Sequence, residues 1–274
     1  MPELPEVQTF VNDLQRAQVC GRCIVGLRIH WDGCIAGMSA RVFRRHVRGK
    51  TIATIRRRGK YIMFDLAGGD GTLLLHLRMS GRLRLNGEPG SHDRLALILD
   101  DGRALSFSDP RKFGRWRWVA DGDAYLVGLG PEPFDRALTG SRFYELIHRS
   151  SRRIKVLLLD QTVLAGIGNI YADESLWRAG IDPELPGNRL TAVEAGNLLR
   201  AIRAILKTAI TNQGSTLGKG VGHYANAAGQ SGRHQERLAV YQRTGKPCYR
   251  CGCTIERRVV AQRGTHVCPC CQKI

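Results

Sequence analysis

Four cysteines near the carboxyl end have the spacing of a structural zinc site. They form two C-x2-C pairs separated by sixteen residues: Cys248, Cys251, Cys268 and Cys271. Each pair can turn its sulfurs toward one tetrahedral centre, and the segment Thr254–Val267 between the pairs fits a β-hairpin. Four thiolates leave no open coordination position, so the predicted cofactor is one structural Zn²⁺. Cys253 and Cys270 permit other ligand registers, although only the first four cysteines give two such pairs.

A second reactive group is predicted at the amino terminus, where Pro2 follows the initiator Met. Because proline is small, we expect Met removal, which exposes a secondary amine with an ordinary pKa of about 8. Attack of this amine on a sugar C1′ gives an iminium ion, which is an electron sink. Glu3 and Glu6 have a spacing that places both carboxylates near one site, where one acts as acid or base and the other orients it. An ordinary frayed terminus is the alternative interpretation of this segment alone.

The charge balance indicates a polyanionic partner. The chain has 42 Lys and Arg residues against 24 Asp and Glu residues, a formal net charge of +18, and the excess lies on both sides of residue 140. Each neutralised phosphate releases counterions, so this balance favours nucleic acid over a basic membrane-surface protein. No signal peptide is recognisable, and no aliphatic run approaches the ~18 residues of a membrane span. The odd number of cysteines excludes complete disulfide pairing, which favours a reducing, intracellular location.

The elements that must position these groups change type along the chain. Residues 1–133 contain a first helix, predicted over Val7–Gln18, followed by short strands whose turn signals favour a sandwich or barrel. The predicted strands are Thr51–Ile55, Tyr61–Leu66, Thr72–Leu77, Arg82–Leu85, Leu95–Leu99 and Ala104–Phe107. The Gly- and Pro-rich segment 128–133 is a candidate linker, and helical periodicity begins after it.

The second half of the chain is predicted to be helical before the cysteine pairs. Helices are expected over Ile154–Leu164 and Ile170–Ala179, separated by a tight glycine turn. Thr191-x-x-Glu194 is a capping box that opens a longer apolar-faced helix. The segment Gly218–Gly232 contains six glycines and is predicted to be a mobile loop.

Three segments together resemble bacterial formamidopyrimidine-DNA glycosylases of the Fpg/Nei family. They are the opening Met-Pro-Glu-Leu-Pro-Glu-Val, the segment Leu164–Glu174 and the cysteine pairs, and the likeness runs from residue 2 to Lys273. Leu4 favours this branch, because the endonuclease VIII branch typically has Gly there. The resemblance implies an α+β fold. An N-terminal β-sandwich domain with flanking helices (1–133) precedes a helix-two-turn-helix domain (134–237), and a β-hairpin zinc finger (238–274) ends the chain.

The resemblance also implies roles for individual residues. Pro2 resembles the Schiff-base nucleophile, Glu3 the proton donor that helps open the sugar ring, and Glu6 the second carboxylate of that site. Lys60 matches the lysine assigned to phosphate binding and β-elimination. Arg263 matches the zinc-finger arginine assigned to phosphate binding and δ-elimination. Taken alone, Lys60 and Arg263 would equally suit a solvated surface.

Further positions resemble the DNA contacts of the family. The implied contacts are His76, His92, Lys155 and Asn169, and the implied residues that fill the void left by a flipped nucleotide are Met79, Arg111 and Phe113. An apolar wedge with an arginine for the orphaned base is what base flipping requires. Without the resemblance, a core position is the favoured interpretation of Met79 and Phe113. Each nevertheless lies near a glycine in a turn signal, which favours a loop tip.

The implied function is that of a bifunctional DNA glycosylase/AP lyase for 8-oxoguanine and formamidopyrimidines. Its partner would be double-stranded DNA with oxidised bases or abasic sites, bound by a monomer in the bacterial cytoplasm at the nucleoid. One alternative is an endonuclease VIII-like enzyme for oxidised pyrimidines, and another is a non-catalytic zinc-containing DNA-binding protein. Arg78 and the unusual loop Gly218–His234 depart from the family pattern, which puts the lesion preference in doubt.

Overall fold

A computed structural model describes residues 1–218 and 223–273 and divides them into two compact units. The amino-terminal unit comprises Met1–Val127 and Asn212–Gln235, and the carboxyl-terminal unit comprises Gly128–Thr211 and Glu236–Ile274. This division differs from the linear prediction of 1–133, 134–237 and 238–274. The segment after the long helix returns to the first unit, and the cysteine-rich end shares a unit with the helices. Residues 219–222 of the predicted glycine loop lie outside the described residues.

Seven α-helices and ten strands are formed by the described residues. The helices are α1 (Leu4–Arg16), α2 (Ala40–Val47), α3 (Gly122–Tyr125), α4 (Gly140–His148), α5 (Ile154–Leu159), α6 (Asn169–Ala179) and α7 (Ala192–Thr211). The strands are β1 (Ile24–Ile29), β2 (Ile52–Arg58), β3 (Tyr61–Leu66), β4 (Thr72–His76), β5 (Arg82–Leu85), β6 (Asp93–Leu99), β7 (Ala104–Ser108), β8 (Arg115–Val119), β9 (Glu256–Val260) and β10 (Arg263–Val267). Among these described helices, none is long and apolar enough to cross a membrane.

Two four-stranded antiparallel sheets form the amino-terminal unit, with strand orders β1-β6-β7-β5 and β2-β3-β4-β8. Their buried faces share one apolar core. Trp116 on β8 is fully buried there, with ring centroids 5.5 Å from Phe64 of its own sheet and 6.2 Å from Phe107 of the other. Helix α1 buries Phe10 and Leu14 in the same core. The sandwich therefore fixes the position of α1, whose first turn follows Pro2.

Helix α7 is packed against α4 and α6 in the carboxyl-terminal unit. The predicted capping box at its start is present, because Thr191 N–H donates to Glu194 Oε2 at 2.8 Å and Glu194 N–H donates to Thr191 Oγ1 at 3.2 Å. Helix α6 begins after Gly168 and ends at Gly180, whose φ of 74° is the left-handed value typical of a helix C-cap. The hairpin β9–β10 turns through Ala261 and Gln262, with φ of 47° and 61°. That turn places Arg263 at the exposed start of β10.

The sequence predicted β3 and β5 with their observed bounds, and most other predicted elements differ by a few residues at their ends. Helix α1 begins at Leu4 rather than Val7, because the Glu3–Glu6 capping box initiates it. Helix α5 ends at Leu159 rather than Leu164, since the Asp160 carboxylate accepts hydrogen bonds from Thr162 and so favours a turn. Five elements were not predicted: β1, β8, α2, α3 and α4.

Candidate functional site

The carboxylate of Glu6 organises the first turn of α1. Its Oε2 accepts the backbone N–H of Glu3 at 2.8 Å, and its Oε1 accepts the N–H of Ser215 at 2.8 Å. Glu6 and Glu3 are only 1% and 2% exposed, and Pro2 is buried beside them. Gly214 has a φ of 76°, and a Cβ there would lie 2.8 Å from Glu6 Oε1, so this close approach requires glycine. The predicted carboxylates therefore lie in one buried cluster directly after Pro2.

Lys60 lies in the turn between β2 and β3, and both strands pack against α1. Arg57 fixes this turn, because its Nε donates to Gln8 Oε1 of α1 at 2.9 Å and its Nη1 donates to the Gly59 carbonyl at 2.9 Å. Lys60 itself is 7% exposed. The sequence analysis did not identify Arg57 as a positioning residue, since only the strand register shows that its side chain faces α1.

His76 is the last residue of β4 and pairs with Tyr61 of β3. The positive charge of Lys60 acts on its imidazole ring. Burial lowers the pKa of His76 to about 3, and the positive charges of Arg78 and Lys60 contribute to this shift. Its Nδ1 accepts the backbone N–H of Arg78 at 3.0 Å. A neutral imidazole that accepts at Nδ1 carries its proton on Nε2, so His76 can donate one hydrogen bond to an anion without being charged.

Two loops carry the predicted void-filling residues, and one buried carboxylate joins them. Met79 and Phe113 are each 45% exposed, and the Arg111 guanidinium lies 5.0 Å from the Phe113 ring centroid. Asp109 is fully buried; its Oδ1 accepts Ser80 Oγ at 2.5 Å, and its Oδ2 accepts the N–H groups of Phe113 and Gly114, each at 2.7 Å.

The Asp109 backbone extends this connection to a further predicted contact. Its N–H donates to the carbonyl of His92, which is half-buried, at 2.9 Å. The structure therefore links the loops of Met79, Phe113 and His92 through a single residue. Sequence analysis missed Asp109; the signal available was the run Asp109-Pro-Arg, in which Asp opens a turn.

Lys155 and Asn169 converge on the residue that follows Arg263. Lys155 Nζ donates to the Gly264 carbonyl at 3.1 Å and to Thr265 Oγ1 at 2.7 Å, and Asn169 Nδ2 donates to the same Gly264 carbonyl at 2.9 Å. Lys155 has no exposed surface, and its Nζ lies 2.6 Å from Asp173 Oδ1. These contacts show that Lys155 fixes the hairpin, and its predicted direct contact with DNA stays a prediction.

Two adjacent carboxylates on α6 hold the segments of the cysteine-rich end. Asp173 Oδ2 accepts the backbone N–H of His266 on β10 at 2.9 Å. The oxygens of Glu174 accept the N–H groups of residues 239–241 at 2.8 to 2.9 Å. Burial raises the pKa of Glu174, while these three hydrogen bonds oppose that shift. Helix α6 therefore orients both the hairpin and the segment that leads to it.

The four predicted zinc ligands lie together, with all four sulfurs within 4.8 Å of one another. The Sγ–Sγ distance is 3.9 Å between Cys248 and Cys271 and 3.4 Å between Cys251 and Cys268. Tetrahedral zinc with Zn–S bonds of about 2.3 Å separates its sulfurs by about 3.8 Å, so these residues fit the ion. They are positioned to bind one zinc ion, which would stabilise the fold of the finger.

The pKa values of these thiols also indicate that a cation is needed to ionise all four of them. Burial raises the pKa of Cys271 to about 12, and neighbouring thiols add to the shift. Burial opposes ionisation of Cys248 as well, but hydrogen bonds from Arg250 N–H and the Trp177 indole lower the pKa of that thiol to about 6. Four thiolates so close together require a metal cation to stabilise them. Cys253 and Cys270 are joined by a disulfide, which leaves the predicted four as the ligand set.

The predicted site residues thus fall into two groups, each within one unit. The amino-terminal unit holds Pro2, Glu3, Glu6, Lys60, His76, Met79, His92, Arg111 and Phe113. The carboxyl-terminal unit holds Lys155, Asn169, Arg263 and the four zinc ligands. Residues that sequence analysis missed supply the connections inside each group, and most of them act through backbone groups that residue types do not reveal.

Comparison with known proteins identifies the class of this α+β chain. Its residues 1–116 match the model of the formamidopyrimidine-DNA glycosylase N-terminal domain, residues 129–220 match the formamidopyrimidine-DNA glycosylase H2TH domain, and residues 245–274 match the zinc finger found in FPG and IleRS. The protein belongs to the formamidopyrimidine-DNA glycosylase family.

Individual relatives are similar over their whole length. The formamidopyrimidine-DNA glycosylase of a Roseiflexus species is 48% identical, and that of Protochlamydia amoebophila is 41% identical, each with full coverage of both chains. Among solved structures, MutM (FPG) of Thermus thermophilus matches with a TM-score of 0.89 and 44% identity, covering 99% of this chain and 98% of that one. Lactococcus lactis Fpg with abasic-site DNA matches with a TM-score of 0.90 and 36% identity, covering 99% and 100%.

Asp109→Asn is expected to loosen the void-filling loops. The substitution replaces a charged acceptor of two backbone N–H groups by a neutral one, and hydrogen bonds to charged groups contribute about 1.5 to 3 kcal/mol each. We expect the free energy of unfolding to fall by about 2 kcal/mol, with faster amide hydrogen exchange at Phe113 and Gly114. The exposed Asp32→Asn is the control. Unchanged exchange at both amides would contradict the role given to Asp109.

Lys155→Met is expected to destabilise the carboxyl-terminal unit. Removal of one partner leaves the Asp173 carboxylate as a buried charge without its ammonium group, which typically costs about 3 to 5 kcal/mol. The double variant Lys155→Met/Asp173→Asn should recover part of the loss in a urea titration. If Lys155 instead contacts a phosphate directly, the single variant will keep its stability. The slope of log duplex affinity against log salt concentration will then become shallower by about one.

His76 is expected to make the protein less stable in mild acid. Its folded pKa of about 3 lies below the ordinary value of 6.5, so between these pH values the unfolded chain binds the extra proton. Stability from this group is complete above about pH 6.5 and falls as the pH decreases, by about 2 kcal/mol at pH 5. His76→Asn, which keeps an acceptor for Arg78 N–H, should remove this increment from unfolding curves. An equal pH dependence in both proteins would refute it.

Proposed function

We propose that this protein is a bifunctional DNA glycosylase and AP lyase of base-excision repair that removes oxidised purines from double-stranded DNA. The observation that carries this proposal is the buried Glu3–Glu6 cluster directly after Pro2, in a chain that belongs to the formamidopyrimidine-DNA glycosylase family. Structures of a similar Lactococcus lactis protein contain DNA with Fapy-dG or with an abasic site. The Fapy-dG ligand supports formamidopyrimidines as substrates, and 8-oxoguanine is proposed with them from the sequence resemblance.

The first chemical step is assigned to the amine of Pro2 after Met removal. Its lone pair forms a bond to C1′ while the bond from C1′ to the base breaks, and the base leaves with the bonding electrons and takes up the proton that the amine loses. The nitrogen lone pair then opens the sugar, and Glu3 donates a proton to the ring oxygen. The product is an iminium ion that joins Pro2 to the sugar. Glu6 serves as a positioning residue, because both of its oxygens bind backbone N–H groups that fix the Pro2–Glu3 segment and Ser215.

Two eliminations follow from the iminium ion. Loss of a C2′ proton breaks the bond to the 3′ phosphate, and loss of a C4′ proton then breaks the bond to the 5′ phosphate. We assign phosphate binding and β-elimination to Lys60, and phosphate binding and δ-elimination to Arg263. The exposed position of Arg263 at the hairpin tip, fixed through Gly264, supports its assignment.

DNA recognition is assigned to residues of both units. Met79 and Phe113 would fill the void left by the flipped nucleotide, and Arg111 would pair with the orphaned base. His76, His92 and Asn169 would contact the phosphate backbone. The +18 charge supports tight, salt-sensitive binding of DNA. Zn²⁺ held by the four cysteines would keep the hairpin folded.

We propose one function for each segment of the chain. Residues 1–133 carry the sugar chemistry, residues 134–237 bind the DNA backbone, and residues 238–274 contribute to elimination. The relatives are bacterial proteins named formamidopyrimidine-DNA glycosylase. We therefore place the protein in the cytoplasm, associated with the nucleoid and acting as a monomer.

Borohydride trapping on duplex DNA with 8-oxoguanine opposite cytosine tests the proposal. The mature protein should give a covalent adduct that maps to Pro2, because borohydride reduces the iminium ion to a stable amine. Pro2→Gly should reduce trapping by at least about a hundredfold, with duplex affinity changed less than about threefold, since the nucleophile makes few ground-state contacts.

The other outcomes discriminate between functions. An adduct only with an oxidised pyrimidine would keep the chemistry and assign the protein to the endonuclease VIII type. No adduct even with abasic-site DNA would make it a DNA-binding protein without this activity. Equal loss of trapping and affinity in Pro2→Gly would remove Pro2 as nucleophile.

A further inference from the structure

Two cysteines of the finger are not needed for zinc. Cys253 follows the first C-x2-C pair by two residues, and Cys270 lies inside the second pair, between Cys268 and Cys271. The disulfide between Cys253 and Cys270 joins positions 17 residues apart, with a Cα–Cα distance of 6.3 Å. That distance lies within the range that an ordinary disulfide spans. The bond therefore connects the two zinc-binding turns to each other.

The disulfide coexists with the metal site. All four ligand thiols lie within 4.8 Å of one another while Cys253 and Cys270 are bonded. The Cys253 carbonyl also accepts the N–H of Cys248 at 2.8 Å, so Cys253 belongs to the backbone of the first turn. The hairpin keeps a continuous antiparallel register from Glu256–Val267 to Val260–Arg263. Formation of the bond thus requires neither removal of a zinc ligand nor loss of the hairpin.

We propose that Cys253 and Cys270 are a reversible oxidation site, whose disulfide holds the two turns together in parallel with zinc. A cross-link inside the finger restricts the unfolded hairpin and so stabilises the folded one. In the reduced protein, zinc alone joins the two turns to each other. In the oxidised protein, the hairpin that carries Arg263 keeps its fold when zinc is lost. This inference goes beyond the repair activity and does not depend on it.

The chemistry requires an oxidant, for which a hydroperoxide is sufficient. Cys270 is exposed and Cys253 is half-buried, so Cys270 is the thiol that meets the oxidant first. Its thiolate attacks the peroxide oxygen, giving a sulfenic acid and an alcohol or water. The thiol of Cys253 then displaces water from that sulfur, so that two thiols lose two protons and two electrons in total. A cellular thiol reductant reverses the reaction by exchange.

The test uses the full-length, zinc-loaded and fully reduced protein. It is treated with hydrogen peroxide, alkylated and analysed by intact and peptide mass, while released zinc is followed with a chromogenic chelator. We expect the loss of two hydrogen atoms per chain, a peptide cross-linked between Cys253 and Cys270, and retention of zinc. Cys253→Ser and Cys270→Ser should not form the cross-link, whereas Cys20→Ser, which changes an unpaired cysteine of the other unit, should form it.

A second measurement examines the protective role. After removal of zinc with a chelator, tryptic cleavage inside Glu256–Val267 should be at least about tenfold slower in the oxidised than in the reduced protein, because the cross-link limits opening of the hairpin. Cys253→Ser should show no difference between the two treatments. Zinc release in step with oxidation, or cross-links that include Cys251, Cys268 or Cys271, would overturn the proposal. So would equal cleavage rates in both redox states, or a second bound metal on Cys253 and Cys270. None of these measurements uses DNA cleavage, so their failure is distinct from failure of the proposed function.

Discussion

Buried carboxylates must find hydrogen-bond donors, and this constraint organises the functional parts of the molecule. An ionised carboxylate in an apolar interior is costly unless several donors surround it. Here the donors are backbone N–H groups of segments distant in sequence, as for Glu6 with Ser215 and for Asp173 with His266. Each carboxylate therefore obtains its donors by fixing a distant segment, which is a loop at Ser215 and strand β10 at His266.

Because backbone contacts fix the positions of the site residues, residues assigned to separate tasks depend on one another structurally. Gly264 receives hydrogen bonds from Lys155 and Asn169, and its neighbour Arg263 is thereby fixed at the tip of an exposed hairpin. Zinc held by the cysteine pairs that precede β9 and follow β10 would stabilise the same hairpin from its opposite end. The arginine side chain is thus held between two independent constraints. Without these constraints, a surface arginine would lose much conformational entropy when it binds a phosphate in a single geometry.

Much of the fold and of the candidate site could be predicted from residue types. Period-two alternation gave β5, and the Thr191–Glu194 spacing gave the start of α7. Strand β8 was missed although its Arg-Trp-Arg-Trp alternation is similar to that of β5, and it buries only Trp116 fully. Helix α4 was missed because only two of its side chains, Phe143 and Ile147, are buried. Two apolar positions among polar residues are too few to reveal a helical period. Short amphipathic elements of this kind depend on tertiary packing more than on propensity.

The sequence by itself determined the chemistry of this protein: the cysteine spacing, the Pro2–Glu3–Glu6 segment and the basic charge are local or compositional properties. Only the tertiary structure decided which groups stand beside which. It buried Lys155 against Asp173, joined the loops of Met79 and Phe113 through Asp109, and paired Cys253 with Cys270 outside the set of four zinc-ligand cysteines. The physical reason is that burial and partnership depend on contacts across long sequence separations. Residue types alone state which bonds a side chain can make, while the fold determines which of those donors and acceptors come within reach.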